Sequence, residues 1–267
     1  MFIKIGSPSS SQASWRDKFA QLELRRIGVE STLVQVENPA EAILRGDADV
    51  AVQPLSELPL TRPEGVVVTA VSSREYPGDV LVMRPEALDN RLDFGLAHSA
   101  AVLTTTPWQA AQLRDFRPDL GIAVSGGTTF LDDLHKAKCV AVVLPAAVLE
   151  GMGVSGLEVV PLNPREFVPA PGQGVVAWLA HHDDLPVRRL LKQVHHPDVS
   201  SCTNVERRVL QLLGGDAESL LGAFVERDAA GNFHAFVAYA YPGGIRRTRL
   251  SQSTNFELAE RVVERLL

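Results

Sequence analysis

The run Val168-Pro169-Ala170-Pro171-Gly172-Gln173-Gly174, followed at once by Val175-Val176-Ala177-Trp178-Leu179, constrains the fold more than any other stretch. Two prolines fix φ and remove amide donors, while two glycines allow backbone conformations and close approaches that a Cβ forbids. A stiff entry therefore feeds a permissive turn. The five residues after it are short, β-branched and too apolar for a surface loop, so they read as a buried strand. Spacing alone favours an ordinary loop before a strand.

At 267 residues the chain suits two or three compact units, each with its own core. The N-terminal segment Met1-Phe2-Ile3-Lys4-Ile5-Gly6 turns polar after one short strand, and no apolar run approaches the length of a membrane span. A cytoplasmic protein without a membrane partner is the expectation. Cys139 in an apolar strand and Cys202 on an expected helix make neither a disulfide framework nor a zinc site. With a net charge of −6 and basic residues in pairs such as Arg25-Arg26 and Arg246-Arg247, the sequence argues against nucleic acid.

In chain order, Phe2 to Ile5 reads as a strand, Ser7 to Ser11 as a hydroxyl-rich turn, and Trp15, Phe19 and Leu22 as one face of a helix stopped by Gly28. Strands at Thr32 to Val36 and Asp49 to Val52 flank a short helix from Pro39 to Arg45 ended by Gly46. After Val66 to Val71 and Asp79 to Met83 the pattern restarts. Ala100 to Leu103 is a strand, Thr104-Thr105-Thr106 a second hydroxyl turn, and Pro107 opens a helix to about Phe116. Strands alternating with helices imply parallel sheets, whose ligands sit beyond the carboxyl ends of the strands. Ser7, Ser10 and Ser56 in the first unit, and Thr104, Thr105 and Thr106 in the second, are therefore candidate ligand contacts. Helices at Leu185 to Val194 and about Val199 to Leu213, then three strands, a turn at Ala229 to Asn232 and a closing helix make a smaller α+β region.

Several motifs resemble the porphobilinogen deaminase (hydroxymethylbilane synthase) family: the PAPGQG stretch, Gly46 to Val52, the turn Arg117-Pro118-Asp119-Leu120, and Val205-Glu206-Arg207 with Leu213-Gly214-Gly215. The resemblance implies an α/β fold of two type II periplasmic-binding-protein-like domains facing a cleft plus a small C-terminal α+β domain. The implied boundaries are 1–73 with 168–190, 74–167, and 191–267. In that family the PAPGQG stretch returns the chain from the second domain to the first.

The same resemblance implies porphobilinogen polymerisation on a dipyrromethane cofactor, held by a thioether to the cysteine that follows the Gly-Gly pair. That position is Asp216 here, and a carboxylate is a poor substitute for a soft thiolate nucleophile. Gln53-Pro54-Leu55-Ser56-Glu57 stands where the family carries its catalytic Lys-Asp, so Glu57 is the candidate catalytic carboxylate, one methylene longer. The family's arginine cradle for many carboxylates is replaced: Pro8 for the first, Trp108-Gln109 for a pair, Ser125-Gly126-Gly127 for the Arg-Gly-Asn turn, Glu150-Gly151 for a Lys-Arg pair. The resulting expectation is a degenerate homologue without a cofactor, whose hydroxyl turns and Gly126-Gly127 bind a small anion or which serves a protein partner; the alternative is an active synthase using Glu57. His181-His182-Asp183-Asp184 and His195-His196 lack metal-ligand spacing and read as solvated loops, with no metal expected. Trp108 reads as packing rather than as a ligand platform.

Overall fold

The computed structural model describes residues 2–8, 13–89, 91–125, 130–136, 138–149, 154–215 and 219–267. Its α/β fold divides into two compact units, Met1–Arg74 with Val175–Ser201 and Glu75–Gly174 with Cys202–Leu267.

The first unit opens with β1 (Phe2–Pro8), α1 (Ala13–Arg26), β2 (Glu30–Val36), α2 (Pro39–Arg45), β3 (Val50–Pro54) and β4 (Val66–Val71). Local chemistry sets α2 at both ends. Asn38 accepts hydrogen bonds from the amides of Ala40 and Glu41, Pro39 takes the first helical position, and Gly46 ends the helix with a left-handed φ of 76°.

The second unit continues with β5 (Asp79–Met83), β6 (Ala101–Thr104), α3 (Pro107–Phe116), β7 (Gly121–Val124), α4 (Phe130–His135), β8 (Ala141–Pro145), α5 (Ala146–Leu149) and β9 (Glu158–Pro161). The chain then re-enters the first unit as β10 (Val176–His181) and α6 (Leu185–Leu191), and α7 (Pro197–Leu212) carries it back into the second. There β11 (Leu221–Arg227), β12 (Phe233–Tyr241) and β13 (Gly244–Gln252) form an antiparallel sheet, against which α8 (Leu258–Leu266) packs.

The two larger sheets have the orders β2-β1-β3-β10-β4 and β7-β6-β8-β5-β9. In each, three parallel strands joined by helices are followed by an antiparallel strand, β10 beside β3 and β4, or β5 beside β8 and β9. The helix-linked strands of each sheet thus run parallel as expected, and the antiparallel strands are added beside them. Only a βαβ crossover forces neighbouring strands parallel, and β10 and β5 arrive by other connections.

β10 confirms the buried strand read from composition. Val176, Trp178 and Ala180 pack with Ile3, Ile5, Val50 and Leu24 on one face, while Ala177 and Leu179 pack with Ile43, Ala51 and Leu55 on the other. Burial on both faces is why the run lacks polar alternation. The preceding Val168–Gly174 stretch stays with the second unit: Gln112 exchanges two hydrogen bonds with the Val168 backbone, at 3.0 and 2.8 Å. The compact first unit resumes at Val175.

Candidate functional site

In the first unit the candidate residues lie at the carboxyl ends of β1 and β3. Ser7 is buried at the end of β1, and its hydroxyl donates to the Asp17 carboxylate at 2.6 Å, a bond from strand to the first turns of α1. Just past β3 the chain makes a single 3-10 turn, Leu55–Glu57. Leu55 anchors it in the core and donates its amide to the Val175 carbonyl at 2.8 Å, which leaves Ser56 half-buried and Glu57 exposed. The Glu57 side chain is 73% exposed, and its carboxylate lies 3.9 Å from the largely buried Arg16 guanidinium of α1. Arg16 and Asp17 were missed by sequence reasoning because an Arg-Asp pair in a first helical turn looks like ordinary surface.

In the second unit the hydroxyl turn is closed upon the chain itself. The Gln109 side-chain oxygen accepts from the Thr105 amide at 2.9 Å, the Thr105 hydroxyl at 2.9 Å and the Thr106 amide at 3.1 Å. Thr106 returns the favour as N-cap by accepting the Gln109 amide at 3.2 Å, a capping box. Thr104 is fully buried and donates to the Thr106 carbonyl at 3.2 Å. Donors that a ligand's acidic group would use at the start of α3 are therefore already paired with an internal acceptor.

The other end of Gln109 continues the network. Its side-chain nitrogen donates to Asp79 Oδ1 at 2.7 Å, and Gln173 of the Pro/Gly stretch donates to the same oxygen at 3.2 Å. Asp79 is 2% exposed, and its Oδ2 has no hydrogen-bond partner among the described residues. Burial pushes its carboxyl up to about 6, opposed by the bonds from Gln109 and Gln173.

That shift has a definite sign for stability. The folded chain holds the Asp79 proton up to about pH 6, whereas the unfolded chain releases it near 3.8. Stability from this group is full below that lower value and falls as pH rises through 6. A rise of about two units corresponds to roughly 3 kcal/mol. The isosteric Asp79→Asn keeps an oxygen for both glutamines and cannot ionise. Denaturant melts of wild type and variant are expected to diverge by about that amount between pH 4 and 7.5, with the variant gaining relative stability. Parallel pH profiles would contradict this account of Asp79.

Trp108, next to Gln109, is structural, as its sequence context suggests. It is 4% exposed, donates its indole N–H to the Val168 carbonyl at 2.8 Å, and packs with Val168, Phe224 and Ala238. A Cβ on Gly222 of β11 would come within 2.9 Å of its ring and 2.4 Å of the Val168 carbonyl oxygen. The indole thus fixes the three-stranded sheet against α3. The Arg117-Pro118-Asp119-Leu120 turn is likewise structural: Arg117 bonds both Asp119 oxygens at 2.7 Å and the Asp93 and Leu96 carbonyls at 2.7 and 3.1 Å.

Ser10, Gly126, Gly127, Glu150, Gly151 and Asp216 lie outside the described residues. Cys139 and Cys202 are both buried. Burial pushes the Cys139 thiol up, away from the thiolate form. Among the described residues, no helix is long and apolar enough to cross a membrane.

Residues 5–189 match the family described as porphobilinogen deaminase, dipyromethane cofactor binding domain. A porphobilinogen deaminase of Syntrophobacter fumaroxidans is 33% identical over 208 residues, covering 77% of this chain and 65% of that protein, so the match spans just under two thirds of the relative's length. One from Listeria monocytogenes is 29% identical over 259 residues, covering 94% of this chain and 81% of its own. Among solved structures, an ancestral cationic amino acid solute binding protein aligns with a TM-score of 0.49 at 13% identity, covering 72% of this chain and 89% of that one.

Proposed function

The chain belongs to the porphobilinogen deaminase family, and from that premise we propose that it keeps the family's frame without its covalent cofactor chemistry, acting as a non-covalent binder of a small molecule with one or two acidic groups. One observation carries the reading. Where the family places paired arginines, Trp108 and Gln109 are built into the packing, the indole bonded to Val168 and the carboxamide shared between the Thr105-Thr106 turn and Asp79. Neither offers a cation. Loss of a positive partner can cost a buried carboxylate several kcal/mol, and a growing polypyrrole carries many carboxylates.

The residues present do not fit a dipyrromethane. Asp216 stands at the attachment position in sequence, and the two cysteines are buried elsewhere. The Arg16 guanidinium beside Glu57 supplies a positive partner for a single acidic group, which supports a small ligand. Binding at the start of α3 would require such a ligand to displace the Gln109 carboxamide, which supports weak affinity. The catalytic reading, a synthase with Glu57 as acid, base and charge stabiliser, rests on that same exposed carboxylate.

Porphobilinogen consumption separates the two. We expect none from wild type and none from Asp216→Cys, because restoring the sulfur leaves Trp108 and Gln109 in place. Turnover by wild type establishes the catalytic reading, and turnover by Asp216→Cys alone shows that the arginine pair is dispensable. Calorimetry with sulfate, small carboxylates and hydroxymethylbilane tests the ligand class; tight hydroxymethylbilane binding would contradict it.

A further inference from the structure

The turn between β10 and α6 gathers three metal-ligating side chains that the proposed function does not use. Its backbone is fixed on several sides. The His182 amide donates to the Gly65 carbonyl at 2.8 Å, the Asp184 amide to the His181 carbonyl at 3.1 Å, and the Leu185 amide to the Asp183 carbonyl at 2.8 Å. Asp184 caps α6 through the Val187 amide at 3.1 Å, and Arg188 donates to the His182 carbonyl at 2.6 Å. Side chains carried on so constrained a turn lose little further freedom on binding an ion.

Consecutive residues on a regular strand point to opposite faces, which is why the sequence gives no sign of a site here. The turn breaks that alternation. The imidazole centroids of His181 and His182 are 5.1 Å apart, His182 Nε2 lies 3.0 Å from Asp183 Oδ1, and one donor atom from each of His181, His182 and Asp183 lies within 4.8 Å of the others. An ion about 2.0–2.1 Å from both His182 Nε2 and Asp183 Oδ1 would subtend roughly 95° between them. That angle suits adjacent positions of a divalent transition-metal ion whose remaining positions hold water.

We propose that His182 and Asp183, with His181 as third ligand, form a surface site for a divalent transition metal of the Zn²⁺ class. The ligands are not equivalent. His181 Nδ1 accepts the Asp183 amide at 3.2 Å, so its proton sits on Nε2 in the metal-free form. Ligation through Nδ1 displaces the amide, and ligation through Nε2 moves the proton to Nδ1, so either gives up the amide bond. His182 and Asp183 therefore form the core of the site, and His181 contributes less. The Arg188 guanidinium bonded to the same turn opposes a cation and keeps the affinity modest.

The test is titration of chelator-treated, tag-free full-length protein with Zn²⁺ alone, followed by calorimetry. One equivalent is expected to bind in the presence of excess Mg²⁺. His182→Ala should weaken that binding by roughly tenfold or more, the scale on which metal-site substitutions act, and His181→Ala by less. His234 provides the control: its Nε2 also lies 3.0 Å from a carboxylate, that of Asp228, in a pair outside the three-residue cluster. His234→Ala should leave Zn²⁺ binding unchanged. Absence of Zn²⁺ binding to wild type, or Zn²⁺ binding that survives His182→Ala or disappears in His234→Ala, would overturn the proposal.

Discussion

Gly174→Ala is expected to destabilise the chain by about 3 kcal/mol or more, or to prevent folding, through two effects that act together. Gly174 has φ of +77°, and a Cβ there would lie 2.3 Å from the Tyr76 carbonyl oxygen, 2.8 Å from the Tyr76 carbonyl carbon and 3.2 Å from Pro77 Cα. All three are backbone atoms beside the start of β5, so the clash cannot be relieved by rotating a side chain. Gly28→Ala separates the contributions. Gly28 has nearly the same φ, +75°, with nothing among the described residues within 4 Å of its Cβ position. That variant should cost only the left-handed strain of an alanine, about 1 kcal/mol. Urea melts of the two variants measure the difference directly; equal losses would show that the contact with Tyr76 is soft.

Glu206→Ala is expected to cost several kcal/mol for a different reason. Glu206, on α7, is completely buried, and its two carboxylate oxygens accept the Gly172 amide and the Val225 amide, each at 2.7 Å. One side chain thereby ties the Pro/Gly stretch and β11 to the same helix. Removing it strands two buried amides, each worth about 1–3 kcal/mol, and opens a cavity. Glu206→Gln retains one acceptor oxygen but turns an N–H toward the other amide, so it should fall between wild type and alanine. A loss under about 1 kcal/mol for Glu206→Ala in urea denaturation would mean that water or another acceptor replaces the carboxylate.

The elements set by local chemistry were legible in the sequence. Proline and glycine around Val168 to Gly174, the Pro39 and Gly46 signals of α2, and the hydroxyl turn with Pro107 at the start of α3 each act within a few residues, and each appears where expected. The antiparallel direction of β10 and β5 was not legible, because both owe it to the path by which the chain enters each sheet. The Asp79 network was hidden for a similar reason. Asp79 reads only as the first residue of an apolar strand, and the partners that bury it, Gln109 and Gln173, are 30 and 94 residues away. Gln109 itself was visible only as a missing arginine, although its role is positive: it supplies the acceptor that closes the Thr105-Thr106 turn. Ser7 was legible as a hydroxyl at a strand end, but its partner Asp17 was not, since nothing in the spacing says which face of α1 meets the strand.

The intact mass of the protein, purified after expression in a host that makes porphobilinogen, tests the central claim most directly. The account predicts the mass of the polypeptide alone and no colour with Ehrlich's reagent after desalting, because Asp216 offers no sulfur and Trp108 and Gln109 offer no cation to the carboxylates of a dipyrrole. A mass increment equal to a dipyrromethane, with a positive Ehrlich reaction, would contradict it and establish a covalent cofactor despite the missing cysteine.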